Sequence, residues 1–332
     1  MKAIALISGG LDSMLAARVI KDQGIEVIGL NFDICFGRNR KNLLGLREEP
    51  LYWVEDSLGI ELRSVDIAED FFRVLKEPRH GYGSNMNPCI DCKILMLKKS
   101  REIMQDLGAS FVITGEVLGQ RPMSQHRDAL MRIEKESGLE GLLLRPLSAK
   151  LLPLSTPEVL GWVDRAQLLK ISGRSRKEQK ELIKRYNIKD YPNAAGGCLL
   201  TDPGFSKRLQ DLMAHAELNL ENIELLKVGR YLKIAETSRL VVGRDEKENE
   251  FLTAIAKDND FLFMPVSIMG PVALGRGDFN ADMVKLACRI TCRYCDLHGN
   301  TSADIIYKRK NGKEEVINIA PAGEDEIEGF RI

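Results

Sequence analysis

The feature that most constrains this chain is a buried strand that runs through a glycine turn directly into a helix. Residues 2–20 read KAIALISGGLDSMLAARVI. Lys2 to Ile7 is almost continuously apolar, as a parallel strand covered on both faces must be. The stretch Ser8-Gly9-Gly10-Leu11-Asp12-Ser13 breaks that strand. Met14, Leu15, Ala17, Val19 and Ile20 then recur at helical spacing over 13–23, and Gly24 closes the helix. A strand that enters a helix through so short a turn commits the chain to a crossover, and therefore to a parallel sheet.

The alternation continues downstream. Strands are expected at 26–32, 61–67 and 110–114, and helices at 48–59, 93–108, 156–171 and 175–187. This predicts an α/β fold with a doubly wound parallel sheet. Residues 191–205, YPNAAGGCLLTDPGF, read as a loop, and the helix after them as the end of a first domain over 1–215. From 223 the pattern changes to strand, strand, helix, two short strands, a helix over 280–296, and a hairpin turning at Asn311-Gly312. A second, smaller α+β domain is expected over 223–322, with the acidic tail GEDEIEGF at the surface or frayed.

Lysine plus arginine and aspartate plus glutamate are both 48, so the net charge is zero and any nucleic-acid binding must come from local patches. The basic clusters are 37–47, Lys93 to Arg101, 174–185 and 307–313. Interleaved glutamates make 174–185 read as a solvated face. No apolar run is long enough for a membrane span, and MKAIALISGG has no signal-peptide pattern. The expectation is a cytoplasmic protein without a membrane partner, whose seven cysteines are thiols, ligands or catalytic groups rather than a disulfide framework.

Gly9 and Gly10 let the backbone approach a phosphate, and the N–H groups opening the helix meet the anion with a favourable dipole. Ser8 and Ser13 add hydroxyl donors. Asp12 suits a magnesium or pyrophosphate-positioning role, or a helix cap. The plain alternative is an ordinary strand-to-helix turn. No Lys-Ser/Thr closes the motif, which excludes a Walker A loop. These residues resemble the PP-loop ATP pyrophosphatase superfamily, which implies ATP with Mg2+, adenylation of a substrate oxygen and release of pyrophosphate. In that resemblance Asn31 and Phe32 stand where adenine is contacted.

Two further segments narrow the likeness. NPCIDC (87–92) resembles tRNA 2-thiouridine synthases, while VITGEVLGQRPMSQ (112–125) and RPL (145–147) resemble tRNA 4-thiouridine synthases. The likeness covers roughly residues 1–210 and implies an ATP-dependent tRNA sulfurtransferase. Gly115, Glu116 and Gln120 would line the substrate or nucleotide side. Sulfur is expected from free sulfide or a separate carrier. An amidotransferase or ligase acting on a small molecule, and an RNA-binding protein that uses ATP only for regulation, stand as alternatives.

Cys89 and Cys92 form a C-x-x-C pair at a helix start, and Cys198 lies on a glycine-rich loop. The resemblance implies that these three hold a [4Fe–4S] cluster with one iron open to sulfide. Persulfide chemistry with a resolving thiol is the rival, and zinc or packing the remaining readings. Cys288, Cys292 and Cys295 imitate the spacing of radical S-adenosylmethionine enzymes. They fall on one face of the expected helix and read as packing, with a second metal site as the alternative. Cys35 reads as incidental, and His126 as a surface histidine. VVGRDEKENEFL (241–252) resembles the RNA-binding domain of NFACT proteins, which implies RNA contacts at Gly243, Arg244 and Asn249.

Overall fold

The structure, a computed structural model, describes residues 1–37, 52–188 and 197–332. Residues 38–47 of the basic stretch 37–47 and residues 191–196 of the Pro/Gly-rich loop lie outside the described residues. Those described divide between Thr201 and Asp202 into two compact units.

The first unit runs β1 (Lys2–Leu6), α1 (Leu11–Lys21), β2 (Glu26–Asp33), α2 (Tyr52–Leu58), β3 (Glu61–Asp66), α3 (Ala68–Lys76), α4 (Cys89–Asp106), β4 (Phe111–Thr114), α5 (Arg127–Ser137), β5 (Leu143–Leu144), α6 (Thr156–Val159) and α7 (Lys177–Tyr186). Its five strands are all parallel, in the order β3-β2-β1-β4-β5. The expected doubly wound sheet is therefore present. Alternation along β1 explains its two layers. Ala3, Ala5 and Ile7 pack with Met14 and Leu15 of α1 on one face. Ile4 and Leu6 pack with Ile90, Ile94 and Leu97 of α4 on the other. Burying each large side chain contributes about 1.5–3 kcal/mol.

Chain order reverses at β1. The sheet grows from β1 through β2 to β3, then restarts on the opposite side with β4. Ligands of open parallel sheets bind at such a switch point, beyond the carboxyl ends of the strands. The loop of residues 8–10 leaves β1 there. The start of α4 lies on the same edge, because a crossover helix runs antiparallel to the strands it joins.

The second unit holds α8 (Pro203–His215), α9 (Leu220–Leu226), β6 (Arg230–Lys233), β7 (Arg239–Val242), α10 (Glu246–Ile255), β8 (Phe261–Pro265), β9 (Ala273–Arg276), α11 (Ala281–Arg293), β10 (Ala303–Arg309), β11 (Glu315–Ile319) and α12 (Glu324–Glu328). Its sheet is antiparallel, in the order β11-β10-β8-β9-β7-β6. The hairpin of β10 and β11 turns at Asn311-Gly312 as expected. No described helix is long and apolar enough to cross a membrane.

Several elements differ from the sequence reading. The expected helix over 156–171 stops after one turn, because Gly161 takes a positive φ of 68° and the Trp162 and Val163 amides turn back to the Pro157 carbonyl. A short 3-10 turn at Arg165–Gln167 follows, capped by Asp164. The segment from Ile223, read as strand, is the end of α9, which Asn219 caps. Helix α8, expected to end the first domain, packs with the second unit, where its Asp211 accepts from Arg239 of β7 at 2.7 Å. The tail lies at the surface, as expected, and is folded rather than frayed. Its α12 buries Ile327 completely, and Arg331 bridges to Leu232.

Candidate active site

The turn after β1 is held by its own side chains. Gly9 has φ 70°, which an L side chain rarely adopts. Ser13 Oγ donates to the Gly10 carbonyl at 2.7 Å and accepts from the Ser8 amide at 3.3 Å. These bonds hold the backbone open at the N-terminus of α1, where Gly10 caps without a side chain. Asn31, at the end of β2, ties Nδ2 to the Ile7 carbonyl at 2.8 Å, so it braces the same turn. Phe32 is half-buried against the Ile4 and Leu6 side of the sheet.

The other wall comes from the end of β4. A Cβ on Gly115 would stand 2.4 Å from the Asp12 carbonyl carbon and from the Ser13 nitrogen. Only glycine lets the two chain segments meet. Gln120 then donates through Nε2 to Asp12 Oδ2 at 2.7 Å. Asp12 Oδ1 is buried and has no hydrogen-bond partner among the described residues. A buried carboxylate oxygen left over beside an anion-binding turn fits a magnesium-bound nucleotide phosphate.

Glu116 is placed differently from the expectation that it lines the pocket. It is buried, and its Oε2 accepts from Thr114 Oγ1 at 3.1 Å and from Arg145 Nε at 3.2 Å. Arg145 also donates to Glu134 at 2.7 Å and to the Leu130 carbonyl at 2.9 Å. The RPL segment thus anchors α5 and the end of β4 through a buried ion pair. His126 caps α5, with Nδ1 accepting from the Ala129 amide at 3.3 Å.

The cysteines of the C-x-x-C pair open α4, and Cys198 is brought to them from far along the chain. Leu199 donates its amide to the Phe36 carbonyl at 3.0 Å, and Asn85 Nδ2 donates to the Thr201 carbonyl at 2.9 Å. The Cys198 turn is therefore docked between the end of β2 and the loop before α4. Cys35, the neighbour of Phe36, is carried to the same edge with φ 58°. Burial pushes the Cys92 thiol up to about 12. The nearby Cys198 and Cys89 thiols add to the rise, and Lys93 opposes it. Cys89 is raised by burial as well, against Asn87, Lys93 and Arg121, which favour its thiolate. Cys198 thus shares the sheet edge at which the pair opens α4. Among the described residues, however, no three His, Cys, Asp or Glu side chains are gathered to share one metal ion.

Sequence reading passed over two contributors. His80 stands 2.8 Å from Asp91 and 3.1 Å from Glu136, pinning the first turn of α4. The available signal was Asp91, an acid inside the C-x-x-C pair. Gln179 of α7 donates to Gln120 at 3.2 Å, and nothing in its local sequence marks it.

In the second unit, Gly243, Arg244 and Asn249 meet at one elbow, held largely by its own bonds. Arg244 donates to Glu248, and Asn249 Oδ1 accepts from the Val272 amide at 2.9 Å. A Cβ on Gly243 would collide with Asn249 Oδ1 at 2.2 Å. Cys288 and Cys292 are fully buried in the core, and Cys295 packs against it.

A glycine-rich anion turn at the switch point of a parallel sheet, with an acid on the following helix, is the arrangement that the resemblance to PP-loop proteins implies. The comparisons agree. Residues 1–151 match the family described as Thiamine biosynthesis protein (ThiI), and residues 229–331 match the NFACT protein RNA binding domain. Both resemblances drawn from the sequence, to thiouridine-synthase-like PP-loop proteins and to NFACT RNA-binding domains, are borne out. A tRNA-specific 2-thiouridylase of Marinobacter nauticus is 26% identical over 88% of this chain and 79% of its own. A 4-thiouridine synthetase in complex with RNA and ATP aligns with TM-score 0.41 and 19% identity, covering 68% of this chain and 52% of that one. The U34-tRNA thiolase of Methanococcus maripaludis, solved with its [4Fe–4S] cluster, aligns with TM-score 0.34 and 15% identity over 64% of each chain.

Proposed function

We propose that this protein is an ATP-dependent tRNA sulfurtransferase. The observation that carries the reading is that Leu199 on Phe36 and Asn85 on Thr201 dock the Cys198 turn at the sheet edge where α4 opens with Cys89 and Cys92 and the loop of Gly9, Gly10 and Asp12 leaves β1. Replacing a carbonyl oxygen with sulfur requires both an activating nucleotide and a sulfur-bearing group in one place. The relatives' activity on tRNA and the NFACT-type segment support RNA as the substrate.

In this reading the uridine carbonyl oxygen attacks the α-phosphorus of ATP and pyrophosphate leaves. The loop amides and the hydroxyls of Ser8 and Ser13 hold the departing pyrophosphate. Magnesium, held by Asp12, would neutralise phosphate charge. One cysteine takes sulfane sulfur from the persulfide of a separate carrier, whose own thiolate leaves; the persulfide sulfur then attacks the activated carbon, and AMP departs with the oxygen. A second thiolate displaces the new thiocarbonyl from the first sulfur, forming a disulfide that a thiol reductant must reopen. Cys89 and Cys198 suit this pair. Cys92, buried and held protonated up to about 12, suits the nucleophile's role least.

The test is mass spectrometry of tRNA nucleosides from cells lacking the protein, paired with ATP turnover by the pure protein. A missing thiouridine, and AMP with pyrophosphate formed only when tRNA is present, are the expected results. An unchanged nucleoside profile, or ADP as product, would sink the reading.

A further inference from the structure

The hydrogen bonds that begin at Asp12 do not end at Gln120. Gln120 Oε1 accepts from Nε2 of Gln179 at 3.2 Å, and Gln179 is wholly buried. Chemistry sets the direction of this relay. A carboxylate oxygen only accepts, so Gln120 must turn its amide nitrogen to Asp12 and its carbonyl to Gln179. Gln179 must then present its own nitrogen. Neither amide can flip without setting two acceptors against each other.

The arrangement leaves an unpartnered acceptor at each end among the described residues, Asp12 Oδ1 and Gln179 Oε1. A methionine at position 179 would fill similar space and carry no unpartnered acceptor of its own. An amide kept there in spite of that penalty points to an effect on what it touches.

We propose that Gln179 is a positioning residue for Asp12. It locks the Gln120 amide, which holds Asp12 Oδ2 and leaves Oδ1 open to the metal-bound phosphate of a nucleotide. The inference rests on the PP-loop reading of the first unit and not on the thiolation step. Its test therefore uses nucleotide binding alone.

Calorimetry on the full chain compares ATP binding, with and without magnesium, for the wild type, Q179M, Q179E, Q120L and the Q120L/Q179M pair. Q179M should weaken magnesium–ATP binding roughly tenfold, the scale of coupled hydrogen-bonded neighbours, with little change when magnesium is absent. Q179E, though isosteric, should do at least as much harm, because its carboxylate draws the Gln120 nitrogen away from Asp12. Q179M should add nothing in the Q120L background. Melting curves exclude any variant that is not folded, and the second substitution at 179 then carries the test. Wild-type affinity in Q179M and Q179E would overturn the proposal. So would equal losses with and without magnesium, or additive effects in the double variant. A wild-type protein that binds no magnesium–ATP would remove the nucleotide reading itself.

Discussion

Gly115, at the end of β4, presses so closely on Asp12 that a Cβ there would stand 2.4 Å from the Asp12 carbonyl carbon. The two residues are remote in sequence, yet their backbones form one wall of the nucleotide turn. Alanine at 115 would collide with backbone, which cannot rotate aside as a side-chain tip can. G115A should cost about 1–3 kcal/mol in stability, the usual range for overpacking. A loop displaced by on the order of 1 Å loses about a hundredfold in rate. Urea unfolding and ATP-dependent pyrophosphate release measure the two effects. Near-normal turnover in G115A would contradict the close approach.

The Glu116–Arg145 pair makes a different kind of demand. Removing one partner of a buried ion pair costs about 3–5 kcal/mol. Glu134 still holds Arg145 in E116A, so the loss should fall near the lower end of that range. Magnesium–ATP affinity of the folded E116A protein should stay close to wild type. A large affinity loss without a stability loss would return Glu116 to the pocket wall.

Alkylation should separate the cysteines of the C-x-x-C pair. Burial holds the Cys92 proton up to about 12, so iodoacetamide should leave Cys92 almost untouched at pH 8. Labelling should rise about tenfold per pH unit above that, following the thiolate fraction. Cys89 is raised too, but Lys93 and Arg121 pull it back, so it should react earlier in the titration. Peptide mass spectrometry across pH reads both sites. Fast labelling of Cys92 at pH 8 would contradict the burial.

The cysteines of α11 should govern alkaline stability instead. Burial pushes Cys288 and Cys295 up to about 12, against an ordinary value of 9.0. In the unfolded chain these thiols lose their protons first, while the folded unit still holds them. Between those values the folded state binds more protons, so stability falls as pH rises from about 9 to about 12. A C288A/C295A variant should show a flatter decline over that window in urea unfolding. It should also thiolate tRNA at the wild-type rate, which a second metal site on these residues would not allow.

The turn after β1 was legible because its signals are local. A buried strand, two glycines and an acid at a helix start carry their chemistry within a dozen or so residues, and the sheet's handedness carries the rest. The loop, the parallel order and the antiparallel hairpin at Asn311-Gly312 followed from periodicity and turn chemistry alone. The helix misread over 156–171 marks where local signals fail. Apolar spacing suggested a helix, but Gly161 and the bonds to Pro157 ended it.

What the tertiary structure decided is which distant residues meet. Sequence set Glu116 beside Gly115 as a pocket residue, and only the fold turned it inward to Arg145. Sequence grouped three cysteines by likeness, and the docking of Leu199 on Phe36 carried Cys198 to the same sheet edge. Gln179 had no signal at all, because a buried amide is recognisable only by the partners that satisfy it. Periodicity and turn chemistry are written along the chain, so sequence determines the elements and the loop they support. Ion pairs and hydrogen-bond relays depend on distances between segments far apart in sequence, and packing alone sets those distances.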